Sequence, residues 1–416
     1  MDIRVKAIVS WCLYDWANSA FPTVIGTFIF GAYYTQAIAV TPEKGVADWG
    51  VALGLSALLV ALVSPVLGAV ADQAGPRKPW IGVFTALCVG ATAMLWYATP
   101  DPSSALYVLV LVALASAAFE FTMVFYNAML ADLAPPSHLG RVSGWGWGLG
   151  YVGGLVALVL CLVGFVQAQT PWFGVGKEAA AHIRATALLV AVWYGVFCLP
   201  LFWFAPDLPS RGRGLAKAAR DGLAALVKTI RQARRHGTIV RFLIARMLYT
   251  DGLGTLFAFG GIYAAGSFGM TLADVIKFGI ALNVTAGLGA AGFAWMDDRL
   301  GAKPVIIVSL VALIVFGTAM LMVESVLWFW IFGLALGIFV GPAQAASRTL
   351  MTRLAPAKIR TEMFGLYAFS GKATGFLGPF ILAAAITAIG SQRAGMAVII
   401  VFFAAGLALL LPVREP

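Results

Sequence analysis

Twelve stretches of mostly apolar residues follow one another along the chain, separated only by short polar gaps. They fall at roughly 8–36, 48–72, 79–99, 104–132, 139–168, 183–205, 239–268, 272–296, 302–322, 325–354, 360–389 and 391–413. A helix crossing the hydrocarbon core of a bilayer needs about 20 such residues. Each stretch is continuously apolar rather than alternating, so helices and not barrel strands are required. Only 11% of the 416 residues are charged and 61% are hydrophobic, whereas a soluble domain carries about a quarter charged residues. These features exclude a water-soluble fold and define an all-α membrane protein with twelve transmembrane helices. Nucleic acid is not an expected partner, because the excess basic charge of +10 is scattered through gaps between apolar runs.

The apolar run after Arg4 and Lys6 continues past Asp15 without a small-residue cleavage pattern, so it reads as the first span rather than a leader. Arg4, Lys6, Arg77, Lys78, Arg141, the basic cluster of 211–241, Arg299, Lys303, Arg348, Arg353, Lys358, Arg360 and Arg414 fall on one side. The other side holds Lys44, Lys177, Arg184, Lys277 and Arg393. The positive-inside rule then puts both termini and the segment between spans six and seven in the cytoplasm. That segment carries Leu215, Ala219, Leu223, Leu226, Val227 and Ile230 at helical spacing among basic residues, the pattern of an amphipathic helix on the inner leaflet. Cys12, Cys88, Cys161 and Cys198 lie inside apolar runs without CxxC spacing, so neither disulfides nor a metal site is expected.

The chain repeats itself. Asp72-x-x-Gly75-x-Arg77 after span two recurs as Asp298-x-x-Gly301-x-Lys303 after span eight. Leu133-Ala134-Pro135 with Gly144 and Gly150 recurs as Leu354-Ala355-Pro356 with Gly365 and Gly371, at the same spacings. Two pseudo-symmetric six-helix bundles follow, 1–206 and 239–416, joined by a linker at 207–238. Parallel repeats of this kind place a substrate site at their interface near the bilayer midplane. Asp72 and Asp298 are expected to cap or pair across helix ends as a latch on the inner side, with Arg77, Arg141 and Arg299 as candidate partners. Solvated turn charges are the plainer alternative. Gly146-x-x-x-Gly150-x-x-x-Gly154, and Gly371-x-x-x-Gly375 on span eleven, predict close backbone approach.

The Gly68-x-x-x-Asp72-x-x-Gly75-x-Arg77-Lys78 loop resembles the signature of the major facilitator superfamily, with Gln73 where a basic residue is usual. Tyr14-Asp15-Trp16-Ala17-Asn18-Ser19-Ala20-Phe21 is similar to the hallmark of the autophagy-related vacuolar amino-acid effluxer family and its bacterial relatives. So are Tyr126-Asn127-Ala128, Gly150-Tyr-Val-Gly153-Gly154, Asp251-Gly252, and Glu362-Met-Phe364-Gly365-Leu366-Tyr367 with Gly371-Lys372. The resemblance implies the major facilitator fold and export of amino acids or similar small metabolites; the shorter chain, without an evident vacuolar extension, favours a bacterial inner membrane. Gly150-Tyr-Val-Gly153-Gly154 also approximates a motif of proton-drug antiporters, but Leu149-Gly150 stands where Gly-Pro is expected.

Ionisable groups inside a membrane are costly and usually face a wet cavity with a partner. Asp15, Glu120, Arg246, Asp251 and Lys372 are the deep ones. Asp15 shares a polar stripe with Asn18 and Ser19, with Tyr14 beside it. Asp251 mirrors Asp15 in the second half, Glu120 lies two turns above Asn127 on span four, and Arg246 suits structural pairing. Lys372 either binds an anionic substrate group or neutralises one of the acids. Tyr14, Asp15, Asn18, Glu120, Asn127, Arg246, Asp251 and Lys372 are thus the candidate substrate-binding or proton-coupling set.

No P-loop, metal-ligand cluster or nucleophile-base pair occurs in the sequence. The expectation is a monomeric secondary transporter without a cofactor, whose partners are a small molecule, protons and lipid. The alternatives are a proton-drug antiporter and a non-transporting membrane receptor or enzyme.

Overall fold

The computed structural model describes residues 3–212, 214–231 and 236–415. Arg213, Arg234 and Arg235, expected among the basic residues of the linker, lie outside them. The described residues are mostly helical and contain no strand, as a lipid solvent demands: it offers no hydrogen bonds, so backbone groups must be satisfied within each segment. Eleven helices among the described residues are long and apolar enough to cross a membrane, and their bounds follow the predicted runs closely. Side chains such as Leu55, Leu58 and Leu62 are more than half exposed, the surface that acyl chains would cover.

The first predicted span, 8–36, is helical but irregular. It starts as α1 (Ile3–Asn18), loosens into a π-helical stretch over Phe21–Phe28, and continues as α2 (Phe30–Tyr33) and a second π stretch over Tyr34–Ile38. Pro22 lies at the head of the first π stretch, where its missing N–H removes an i to i−4 bond and favours the wider turn. The remaining helices are α3 (Pro42–Ala74), α4 (Lys78–Met94), α5 (Ala105–Leu133), α6 (Leu139–Cys161), α7 (Ala181–Phe197) and α8 (Leu199–Phe204), then α9 (Leu215–Arg231), α10 (Gly237–Phe268), α11 (Leu272–Leu300) and α12 (Ala302–Met322). Next come α13 (Val326–Leu354), α14 (Arg360–Lys372), α15 (Leu377–Ile389) and α16 (Gln392–Leu410). α3 has 33 residues and so rises about 50 Å, more than the roughly 30 Å of hydrocarbon. Some of its turns therefore stand clear of the acyl region.

By contacts the chain groups into two compact units. The first holds residues 1–60, 76–126 and 149–207, the second 61–75, 127–148 and 208–416. The grouping cuts α3, α5 and α6 rather than following chain order.

In the first unit α6 lies against the first span through its glycines. A Cβ on Gly150 would meet Ser19 Oγ at 2.7 Å, on Gly153 the Trp16 carbonyl oxygen at 2.4 Å, and on Gly154 Thr23 Oγ1 at 2.5 Å. In the second unit α11 and α13 pack backbone to backbone: a Cβ on Gly289 would lie 1.8 Å from the Ile338 carbonyl oxygen, and one on Gly341 2.0 Å from that of Ala286. Neither neighbour is a side chain that can swing away. Gly289→Val should therefore destabilise the protein by about 3 kcal/mol or more, read as a fall of several degrees in melting temperature. Gly254→Ala, on α10 with nothing within 4 Å, should leave it unchanged.

Candidate substrate site and end gate

Both units show the repeat in their helix caps. In the first, the amides of Arg77 and Lys78 donate to Asp207 Oδ1 and Oδ2 at 2.8 and 3.0 Å, and Lys78 Nζ donates to the Phe202 carbonyl at 3.0 Å. In the second, the amides of Ala302 and Lys303 donate to Glu415 Oε1 and Oε2 at 2.9 and 2.8 Å, and Lys303 Nζ donates to the Leu411 carbonyl at 2.7 Å. A carboxylate just past the last span of each half thus holds the start of that half's third span, where free amides and the positive helix end favour an anion. Arg77, expected in the latch, is buried.

The latch acids also act as caps. Asp72, at the end of α3, accepts from the amides of Thr361 and Glu362 at 3.1 and 2.8 Å, the first turn of α14. Asp298, at the end of α11, accepts from the amide of Gly140 at 2.8 Å in the first turn of α6, and pairs with Arg141 Nε at 2.5 Å. Arg299 is exposed, and Asp298 uses Arg141 instead. The helices approach closely here: a Cβ on Gly68 would fall 2.3 Å from the Thr361 carbonyl oxygen, one on Gly365 2.4 Å from that of Ser64, and one on Gly144 2.5 Å from that of Ala290. Only glycine lets the carboxylates reach the facing helix ends.

Sequence reasoning missed several groups around these caps. Arg348 is 1% exposed; its Nε and Nη2 donate to Ser143 Oγ and the Ser143 carbonyl at 3.0 and 2.6 Å, and Nη1 to Asn127 Oδ1 at 3.3 Å. Asn127 therefore serves here as an acceptor for a buried guanidinium. The offset that carries Leu133-Ala134-Pro135 onto Leu354-Ala355-Pro356 also carries Asn127 onto Arg348, a signal that marked the pair. Arg353 joins Asp297, at 3.0 Å, to Glu415, and Arg360 pairs with Asp132 at 3.0 Å. A cavity of about 630 Å³ opens among these groups, lined in part by Asp297, Asp298, Arg353 and Glu415.

In the first unit Tyr14, Asp15 and Asn18 are all buried on α1. The Tyr14 hydroxyl sits within hydrogen-bond reach of Thr85 Oγ1 at 2.5 Å and the Tyr194 hydroxyl at 2.8 Å. Tyr126 stacks on Trp11 at 4.5 Å and donates to its carbonyl at 2.9 Å. Tyr14 is thus a strut between α1, α4 and α7. Asn18 donates weakly to Met123 Sδ at 3.6 Å. Glu120 is partly buried on α5.

The second unit brings Arg246, Asp251 and Lys372 to one break. Span eleven runs over Ala357–Ile389, yet turns at 373–376 separate α14 from α15. Gly371, Gly375 and Gly378 weaken the helix there, and Pro379 lacks the N–H that continuity needs. α10 dresses both broken ends with matching charge. Arg246 Nη1 donates to the Tyr367 carbonyl at 2.6 Å and Ser370 Oγ at 2.8 Å, its guanidinium 3.4 Å from the Tyr367 ring centre, which sets a cation toward the negative end of α14. Asp251 accepts from the amide of Gly378 in the first turn of α15, an anion at the positive end. Asp251 is 5% exposed, and its Oδ2 has no hydrogen-bond partner. Lys372 closes α14, partly buried.

This architecture recurs in solved structures of major facilitator transporters. The human organic anion transporter MFSD10 (TETRAN) superposes with a TM-score of 0.73 at 13% identity, covering 99% of this chain and 100% of that one. The proton:xylose symporter XylE gives 0.71 at 13%, covering 99% and 95%. At such identity the likeness is one of fold, and the fold is that of the major facilitator class of membrane transporters. Residues 51–415 match the family described as vacuole effluxer Atg22 like, and the chain belongs to that family. A Bacillus subtilis (strain 168) protein described as the uncharacterized MFS-type transporter YxiO is 28% identical over 98% of this chain and 94% of its own length. Autophagy-related protein 22 of Gibberella zeae is 26% identical over 61% of this chain, a stretch spanning 41% of the fungal protein.

Proposed function

We propose that the protein is a secondary transporter that moves amino acids or similar small metabolites outward across a bacterial inner membrane by alternating access, driven by protons. The observation that carries this reading is the broken span, where a buried carboxylate with one bare oxygen and two basic side chains lie along one interruption. A zwitterion needs both signs of charge, and discontinuous helices near the midplane are where transporters of this kind hold substrate. The effluxer description of the family supports carriage of a small solute across a membrane.

In this reading the bundles 1–206 and 239–416 rock about the site, with the termini and linker in the cytoplasm. Asp15, Asn18 and Glu120 contribute from the first bundle. The protein acts as a monomer. The caps at Asp72 and Asp298, with Arg141, hold the cytoplasmic end shut while the site faces outward, and release it for loading.

The test is flux in sealed proteoliposomes. Amino acids that raise the melting temperature of the detergent-solubilised protein should cross the bilayer faster than in protein-free vesicles, and a pH gradient of the right sign should accelerate them further. Acceleration only of bulky apolar cations, or binding without flux, would overturn the reading.

A further inference from the structure

The linker helix α9 divides into three faces. Ala218, Gly222 and Leu226 are buried, and a Cβ on Gly222 would fall 2.8 Å from the Val70 amide nitrogen, so this face lies against the end of α3. Leu223, Val227 and Ile230, at helical spacing, are 50%, 40% and 58% exposed. Lys217, Arg220, Lys228 and Arg231 are also exposed and form the third face. One turn past Leu226, Thr229 lies beside the carboxyl of Glu362. Each sector takes roughly a third of the circumference, given about 100° per residue.

We propose that α9 is a lipid-reading strap: its apolar sector sinks into the boundary of the leaflet beside α3, its basic sector binds anionic phospholipid headgroups, and the engaged helix holds the gate closed. Two observations select lipid as the occupant. The helix that α9 packs on is itself a membrane span, so α9 is tethered at the end of a span, beside the bilayer surface. The exposed apolar stripe adjoins a flank of four basic residues with the single acid Asp221 at its far edge, a net-positive arrangement like that of helices that lie in an anionic interface. The link to the gate is direct. α9 touches Val70 on α3 and Glu362 on α14, the two helices that Asp72 clasps together through the Thr361 and Glu362 amides. A helix pinned to the surface resists the separation of α3 from α14 that opening requires. This inference does not depend on what the substrate is.

The experiment uses the full chain in nanodiscs of phosphatidylcholine alone or with roughly a third phosphatidylglycerol. The native cysteines are buried, so nitroxides can be placed singly by Leu223→Cys, Val227→Cys, Ile230→Cys, Lys217→Cys and Lys228→Cys. In the anionic discs the three apolar positions should show high collision with oxygen and low collision with a water-soluble nickel chelate, and the two lysine positions the reverse. Amide exchange at Thr361 and Glu362 should slow about tenfold on adding phosphatidylglycerol. That slowing should vanish when Lys217, Arg220, Lys228 and Arg231 are all changed to Gln, and persist in Lys217→Arg/Lys228→Arg. Water exposure of the apolar positions in both discs would overturn the proposal. So would gate exchange indifferent to phosphatidylglycerol, or sheltering of the stripe only when a soluble protein fraction is added.

Discussion

Gly365→Val should reduce transport to about a hundredth or less of the unsubstituted rate while the protein still folds. The α3–α14 crossing places the Ser64 carbonyl oxygen 2.4 Å and the Pro65 Cα 2.7 Å from where a Cβ on Gly365 would sit. Both are backbone atoms of the facing helix, so the helices must part by an ångström or more. Parting them pulls the Thr361 and Glu362 amides off Asp72, hydrogen bonds now 3.1 and 2.8 Å long that weaken steeply beyond about 3.5 Å. A transporter that cannot seal one end leaves its cycle incomplete, hence the large effect on turnover. The cost to the fold is smaller, because helix separation at one crossing relieves the overlap that a tightly packed interior could not. Melting temperature and amide exchange separate the two: the first should fall by only a few degrees, the second should rise at Thr361 and Glu362. Gly90→Ala, on α4 with nothing within 4 Å of the new methyl, is the control. Unaltered turnover in Gly365→Val would remove the α3–α14 clasp from the mechanism.

The spans were legible because lipid demands continuous apolarity, and that demand shows in one dimension: the run read at 302–322 is the helix Ala302–Met322. The repeat pointed to the caps for a similar reason, since Asp72 and Asp298 sit at matching helix ends and a carboxylate there has free amides to find. Depth and direction were harder. Arg348 reads only as one of the basic residues on the inner side, because a hydropathy run reports where a residue lies along a helix, not which face it takes; its neighbours Ser347, Thr349 and Thr352 are buried with it. Tyr14 looks like a cavity residue beside Asp15, yet adjacent positions on a helix point about 100° apart, and it is fixed between Thr85 and Tyr194. The break in span eleven was written in Gly375, Gly378 and Pro379, but the surrounding apolar residues conceal it from any count of length.

That break is where substitution should do most. Asp251 combines two tasks that one pair of variants can part. Its carboxylate accepts from the Gly378 amide at the start of α15, which any side-chain carbonyl could do, and it holds a bare Oδ2 in a nearly dry place, which calls for charge. Asp251→Asn keeps an oxygen for the amide and removes the negative charge. If the bare oxygen receives a proton or a substrate ammonium, the loss is that of a charge-assisted contact, about 1.5–3 kcal/mol. That is roughly ten- to a hundredfold in flux, since each 1.4 kcal/mol is tenfold. Asp251→Ala removes the cap as well, so the first-turn amides of α15 should exchange faster in this variant and not in the asparagine one. Acceleration by a pH gradient should disappear from both. Proton-driven flux at the original rate in Asp251→Asn would reduce Asp251 to a helix cap, and the broken span to a hinge without a ligand.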